Sequence, residues 1–242
     1  NLLLYMIQFY APDIESELTL PEEEARHCIK VLRTRSGDVI EVIDGKGYRF
    51  SCRLTDDNPR HATVEIETKT AVPLSWSTKI TVAVAPTKNM DRMEWMVEKL
   101  TEIGINRIIP LHCRYSERKE IKIDRLQRIA VSAMKQSLKT VLPEITPMRS
   151  FNEVIQSSDA EQKFIAYCDP SIPRKLLSCE YRPVADSVLI LIGPEGDFSK
   201  EEISSAITAG YMPISLGENR LRTETAAFNA CDTIHIINQL KQ

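Results

Sequence analysis

The chain has 242 residues, 43% of them apolar and 27% charged, with a formal net charge of −3. That length suits two compact domains, and the balance is that of a globular protein, not a disordered or collagen-like one. No apolar run approaches the roughly 20 residues needed to cross a bilayer.

The six cysteines, Cys28, Cys52, Cys113, Cys168, Cys179 and Cys231, are scattered, with neither CxxC spacing nor a zinc-like pairing with histidine. All six are expected to be reduced thiols packed as small hydrophobes, and no metal is expected. The opening Asn-Leu-Leu-Leu-Tyr is short and lacks a basic flank. Residues 1–5 therefore read as an expression remnant or unused upstream codons, not a signal peptide, and the cytoplasm is the expected compartment.

Charge is uneven along the chain. Residues 26–53 carry Arg26, Lys30, Arg33, Arg35, Lys46, Arg49 and Arg53 against Asp38, Glu41 and Asp44, a net of +4. Residues 114–139 carry Arg114, Arg118, Lys119, Lys122, Arg125, Arg128, Lys135 and Lys139 against Glu117, Glu120 and Asp124, a net of +5. Two basic stretches in an acidic protein are candidates for a phosphate-binding face, although each alone is more commonly a solvated surface.

The first 70 residues read as a strand, a helix and several strands. Thr19 and Glu22 have capping-box spacing with Pro21 in the first turn, predicting a helix start, and Ala25, Cys28, Ile29 and Leu32 mark its buried face. Gly37 ends that unit. Val39–Ile43 and Tyr48–Leu54 flank an Asp44-Gly45 turn and predict a hairpin; Val64–Glu67 alternates as a further strand. Short strands around little helix predict a small β-barrel over residues 6–70, followed by a linker at 71–78.

From Lys79 strands alternate with helices. Strands are predicted at Ile80–Ala85, Arg107–Leu111, Phe164–Cys168, Val188–Ile192 and Ile214–Leu216. Helices are predicted at 90–103 (with Met93, Met96, Val97, Leu100 and Ile103 inward and Gly104 as stop), 124–139 and 223–240. Two more follow capping boxes at Ser150/Glu153 and Ser199/Glu202, the second ended by Gly210. The apolar run Val188–Ile192 is that of a strand covered on both faces, so residues 79–242 predict an α/β domain with a parallel sheet and helices on both sides.

Ligands of such sheets bind beyond the carboxyl ends of the strands. Two of those ends are unusual, Gly193-Pro194-Glu195-Gly196-Asp197 and Leu216-Gly217 through Leu221-Arg222-Thr223-Glu224-Thr225-Ala226. Glycines at 193, 196 and 217 permit close approach to a flat ligand and backbone conformations closed to other residues. In either loop alone they are more simply strand-to-helix turns. The GxGxxG phosphate fingerprint is absent, which argues against a conventional dinucleotide site.

The two motifs, in that order, resemble the RsmE family, the 16S rRNA (uracil(1498)-N(3))-methyltransferases of the SPOUT class. His27, Val31-Leu32-Arg33, Gly37-Asp38 and Asp44-Gly45 resemble that family's PUA-like N-terminal domain. Lys88, Lys99, Glu102-Ile103-Gly104, Gln136-Ser137 and Leu142-Pro143 resemble its central segments. The resemblance spans nearly the whole chain. It implies a trefoil-knotted C-terminal sheet, a homodimer formed through that domain, S-adenosylmethionine as cofactor, and folded 16S rRNA in the small ribosomal subunit as partner. It places the adenosine against Leu191, Gly193, Gly196, Leu216, Gly217, Leu221 and Thr223. Where the family usually has a second glycine this chain has Asp197, which enters the left-handed region more easily than most residues but adds a negative charge.

Methylating N3 of uridine requires removal of a weakly acidic proton. Glu224 is a candidate general base and Arg222 a candidate donor to the developing oxyanion; alternatively the first caps its helix and the second binds phosphate or a partner subunit. Glu195 is expected to brace its loop through backbone N–H groups. Candidate RNA contacts are Lys30, Arg33, Arg35, Lys88, Arg92, Arg125 and Arg128. On the last helix Ala227, Ala230, Ile234 and Ile237 mark one face and Phe228, Cys231 and His235 another. That width suggests burial on two sides, for which a homodimer is the simplest explanation, with His235 as a packed or interface residue and not a ligand. Two other functions remain open: 2′-O-ribose methylation in the same cleft, and a non-catalytic rRNA-binding assembly protein.

Overall fold

The computed structural model describes residues 7–169, 173–183 and 185–241. The expectation for residues 1–5 lies outside them. The chain divides into two units, residues 1–75 with 131–142, and residues 76–130 with 143–242.

The first unit contains β1 (Gln8–Tyr10), α1 (Ile14–Glu17), α2 (Glu22–Arg26), β2 (Val39–Ile43), β3 (Tyr48–Asp56) and β4 (Thr63–Ala71). The strands form one sheet in that order, with β1 parallel to β2 and the other pairs antiparallel. The β2–β3 turn forms as its sequence dictates. The Asp44 carboxylate accepts the N–H groups of Lys46 and Tyr48 at 2.8 and 3.0 Å, and Gly45 and Gly47 adopt φ of +73° and +105°. Leu18–Leu20 runs along the free edge of β4 through Leu20 N–H to Ala62 O and Val64 N–H to Leu18 O. This strand-rich layer encloses Phe9, Ile40, Val42, Phe50, Cys52 and Leu54, with Ala25 and Cys28 inward as expected.

One local expectation fails. Thr19 does not cap α2: it lies in a β-bridge with Thr63, its hydroxyl donates to Glu17 O, and Pro21 is the residue that precedes the helix. Edge pairing to β4 outcompetes a single capping bond. Beyond Arg26 the helix widens into one π-helical turn, His27–Val31. Residues 131–142 belong to this unit through Leu142 N–H to Gly45 O, Gly47 N–H to Thr140 O and the Lys135–Glu24 pair at 2.6 Å.

The second unit contains β5 (Lys79–Val84), α3 (Met90–Ile103), β6 (Arg107–His112), α4 (Ile123–Gln136, whose end belongs to the first unit), β7 (Glu144–Ile145), β8 (Arg149–Ser150) and α5 (Phe151–Ser157). It continues with β9 (Gln162–Ala166), β10 (Lys175–Leu176), α6 (Leu177–Glu180), β11 (Ser187–Ile192), α7 (Lys200–Thr208), β12 (Met212–Ser215) and α8 (Thr223–Leu240). All assigned strand pairs are parallel, in the order β10-β12-β9-β11-β5-β6-β7, with β8 beside the end of β6.

Both expected capping boxes are present, at Ser150/Glu153 on α5 and Ser199/Glu202 on α7. Each satisfies orphan N–H groups of its helix and contributes about 1 kcal/mol. Helix α4 stops at Gln136, short of the expected 139, and Leu138 turns left-handed at φ +56°. Strand β11 is central: Leu189 and Leu191 pack with Phe151, Val154, Phe198, Ile203 and Ala206 from the α5 and α7 side. Successive side chains alternate across a strand, so Val188 and Ile190 serve the opposite face, where α8 packs on β5, β11 and α3.

Gly104 ends α3 at φ +112°, and a Cβ there would stand 2.7 Å from the Trp76 ring. Its carbonyl accepts His235 Nε2–H at 2.6 Å and the Cys231 thiol at 3.4 Å, while Trp76 meets the His235 ring edge-on. Cys231 and His235 are therefore covered by their own chain, which leaves Phe228 as the half-buried member of this second face of α8. The cysteine expectation also needs amending, because Cys168 and Cys179 are exposed whereas the other four are buried.

Candidate active site

The order β12-β9-β11 brings three carboxyl ends side by side, those of Ala166, Ile192 and Ser215. Beyond them lies a cavity of about 790 Å³, within the range of small-molecule sites. Its walls are Ala166–Cys168 and Arg174 after β9, Ile192–Asp197 after β11, Ile214–Glu224 after β12, and Arg92 from α3. The two sequence motifs thus share one cavity.

Side chains within the loops set their shape. After β11, Asp197 N–H bonds to Pro194 O at 2.9 Å and closes a four-residue turn. Asp197 is left-handed at φ +66°, and its carboxylate accepts Cys168 N–H at 2.7 Å and Phe198 N–H at 2.9 Å. The charge added at this position is therefore spent on two main-chain donors. Gly193 and Gly196 do not adopt positive φ, contrary to expectation. Crowding explains the first: a Cβ on Gly193 would lie 3.1 Å from the Phe198 ring. Gly217 alone of the three is left-handed, at φ +118°, with nothing within 4 Å of where a Cβ would stand. The Ser215 hydroxyl holds that turn, donating to Gly217 O and accepting Gly217 N–H.

The loops are joined by Thr223, which is buried and whose Oγ1 donates to Gly193 O at 3.1 Å. The next residue, Glu224, is 6% exposed. Its Oε1 lies 3.7 Å from Arg92 Nε, and its Oε2 has no hydrogen-bond partner although it is buried. Arg222 precedes α8 with its side chain exposed, in the cavity wall.

Of the expected cofactor contacts, Gly193, Gly196, Leu216, Gly217, Leu221 and Thr223 line the cavity, and Leu191 instead packs fully buried in the core. Glu195 braces a neighbouring loop, accepting Lys88 N–H at 3.4 Å. The end of β9, with Tyr167 and Arg174, carried no site role in the sequence reading. Arg174 donates to the carbonyls of Tyr167 and Asp169.

Among the candidate RNA contacts, Lys30, Arg33, Arg35, Lys88, Arg125 and Arg128 are exposed, whereas Arg92 is half-buried against Glu224. Much of the local positive charge is matched by acids: Arg35 by Asp57, Arg49 by Glu41, Arg53 by Glu67, Arg125 by Glu94 and Lys135 by Glu24. Among the described residues no group of three or more His, Cys, Asp or Glu could hold a metal ion, and no helix is long and apolar enough to cross a membrane.

The RNA methyltransferase domain family matches residues 74–235, and the RNA methyltransferase PUA domain family matches residues 20–67. The chain is 26% identical to the ribosomal RNA small subunit methyltransferase E of Bacillus subtilis, across 98% of this chain and 97% of that one. Its fold superposes on a probable rRNA-methyltransferase from Porphyromonas gingivalis with a TM-score of 0.93 and 44% identity, covering 98% and 100% of the two chains. It also superposes on the ribosomal RNA small subunit methyltransferase E of Neisseria gonorrhoeae bound to S-adenosyl methionine, with a TM-score of 0.84 and 28% identity over 96% and 98%. A family match over two thirds of the sequence, centred on the domain that carries the cavity, makes this chain a member of the RNA methyltransferase family.

Proposed function

We propose that the chain transfers a methyl group from S-adenosylmethionine to N3 of one uridine in the 16S rRNA of the small ribosomal subunit. The observation that carries the chemistry is Glu224, a buried carboxylate on the cavity wall with one oxygen paired to Arg92 and the other without a partner. A buried acceptor left unsatisfied costs about 1–3 kcal/mol. Such a group is explained when it meets a donor during function, and the N3–H of a uracil is one.

The residues present fit the cofactor. Leu216 and Leu221, half-buried in the cavity, offer apolar surface to an adenine ring, and the main chain around Gly193, Gly196 and Gly217 offers hydrogen bonds to its edges. When bound, the cofactor supplies an electrophilic methyl group. Glu224 Oε2 accepts the N3 proton, and Arg92 opposite Oε1 supplies the counter-charge a buried carboxylate requires. Arg222 and the amino end of α8 stabilise the negative charge that develops on the uracil oxygens. Thr223 holds the two loops in register, and orientation contributes further.

The knot implied by the family resemblance belongs to this reading; its support is the Thr223 bond from the start of α8 to the loop after β11, across the strand order β12-β9-β11. Exposed Lys30, Arg33 and Arg35 in the PUA-type domain, with Lys88, Arg125 and Arg128 in the catalytic domain, are proposed to engage RNA phosphates, which position but do not specify. A homodimer through the C-terminal domain would cover the half-buried Phe228 and the exposed Trp95 and Ile236. The cytoplasm is the proposed site of action. The test is Glu224→Gln on unmodified small subunits with labelled donor: turnover falls about 10²- to 10⁴-fold with donor affinity retained. Undiminished turnover removes Glu224 from the chemistry.

A further inference from the structure

The loop after β6 is held more firmly than its exposure requires. Ser116 Oγ accepts Cys113 N–H at 2.9 Å, and Ser116 N–H returns to Cys113 O at 3.1 Å. Arg114 N–H donates to Glu202 Oε1 at 2.8 Å, and the Arg114 guanidinium pairs with Glu201 at 3.0 Å. Arg118 donates to the carbonyls of Thr87 and Lys88, whose own N–H reaches Glu195. The loops after β5, β6 and β11, three neighbours in the sheet, are thereby stapled into one rim.

On this fixed backbone stands Tyr115, 50% exposed. Its Cβ lies 3.4 Å from where a Cβ on Gly196 would be, so the ring is rooted against the loop that lines the cavity. The Arg114 guanidinium carbon is 5.8 Å from the ring centroid. The Lys88 side chain, 83% exposed, stands on the same stapled rim, and its ammonium reaches Glu117 at 3.4 Å. A half-exposed aromatic ring on a hydrogen-bonded loop beside a cavity, with the Arg114 guanidinium near it, has the chemistry of a base-stacking platform, because every base has a π face.

We infer that Tyr115 stacks an unpaired RNA base next to the target uridine and so holds the substrate strand open at the cavity. This rests on the reading of the cavity as an RNA methylation site. The test is equilibrium binding of the full chain to unmodified small subunits, with turnover and donor affinity measured in parallel. Tyr115→Ala weakens binding about five- to a hundredfold, leaves the dissociation constant for S-adenosylmethionine unchanged, and leaves the slope of log affinity on log salt unchanged, because a ring releases no counterions. Tyr115→Phe binds like the parent. Unaltered binding by Tyr115→Ala overturns the inference, as does a Phe variant as weak as the Ala variant, or a parallel loss of donor affinity. A parent chain that binds through Tyr115 yet never methylates overturns the functional reading and leaves the platform standing.

Discussion

Thr223→Val removes a side-chain hydrogen bond that ties the start of α8 to the loop after β11, while keeping the volume and branching of the residue. The lost bond runs from Oγ1 to Gly193 O at 3.1 Å, and Thr223 itself is buried. A net hydrogen bond contributes about 0.5–1.5 kcal/mol, and a stranded buried carbonyl costs about 1–3 kcal/mol. Gly193 is buried but lines the cavity, and a loop that borders open space can relax around a stranded carbonyl, so the penalty belongs near the lower end, about 1–2 kcal/mol. If all of that falls on the donor-binding geometry, affinity for S-adenosylmethionine drops about five- to thirtyfold. Calorimetric titration of the variant reads this directly, and Thr223→Ser, which keeps the hydroxyl, restores the parent value. A valine variant that binds the donor like the parent would refute the claim that this bond sets the distance between the loops.

Other substitutions test other links. Gly104→Ala places a methyl group 2.7 Å from the Trp76 ring at a φ of +112°; strain and overpacking together cost about 2–5 kcal/mol, read as a clear fall in melting temperature, and an unchanged melt would contradict the packing described. Asp197→Gly keeps the left-handed turn but loses both carboxylate bonds, whereas Asp197→Ala loses both and strains φ. Donor affinity is therefore expected to fall in the order parent, Gly, Ala, and an alanine variant equal to the glycine variant would sink the backbone argument. Burial pushes the Cys52 thiol up to about 12 and raises those of Cys28, Cys113 and Cys231. A raised thiol pKa leaves the unreactive protonated form dominant at pH 8. Iodoacetamide should then label Cys168 and Cys179 in the native protein and the other four only after unfolding, as mass spectrometry can count.

What could be read from the sequence was what local chemistry decides. The capping boxes at Ser150/Glu153 and Ser199/Glu202, the hairpin at Asp44-Gly45, and the bounds of α3 and α8 need only neighbours in the chain, and all appear as read. Thr19 and Glu22 show the limit of that reasoning. The spacing was right, but the chain could also pair Thr19 with Thr63, a contact 44 positions away that no local pattern announces. The same holds for the cavity. Gly193 and Gly217 are visible as unusual strand ends, yet that β9 lies between β11 and β12, and brings Tyr167 and Arg174 with it, depends on strand order. On α8 the apolar width at Cys231 and His235 was legible, but not that Gly104 and Trp76 of the same chain cover it.

The most direct measurement gives the purified chain unmodified small ribosomal subunits and donor carrying a labelled methyl group, then maps the product on the rRNA. One N3-methyluridine, seen as a stop in primer extension and absent with Glu224→Gln, is the expected result. A label on a ribose hydroxyl, which leaves the pairing edge of the base free, or no incorporation at all, would contradict it.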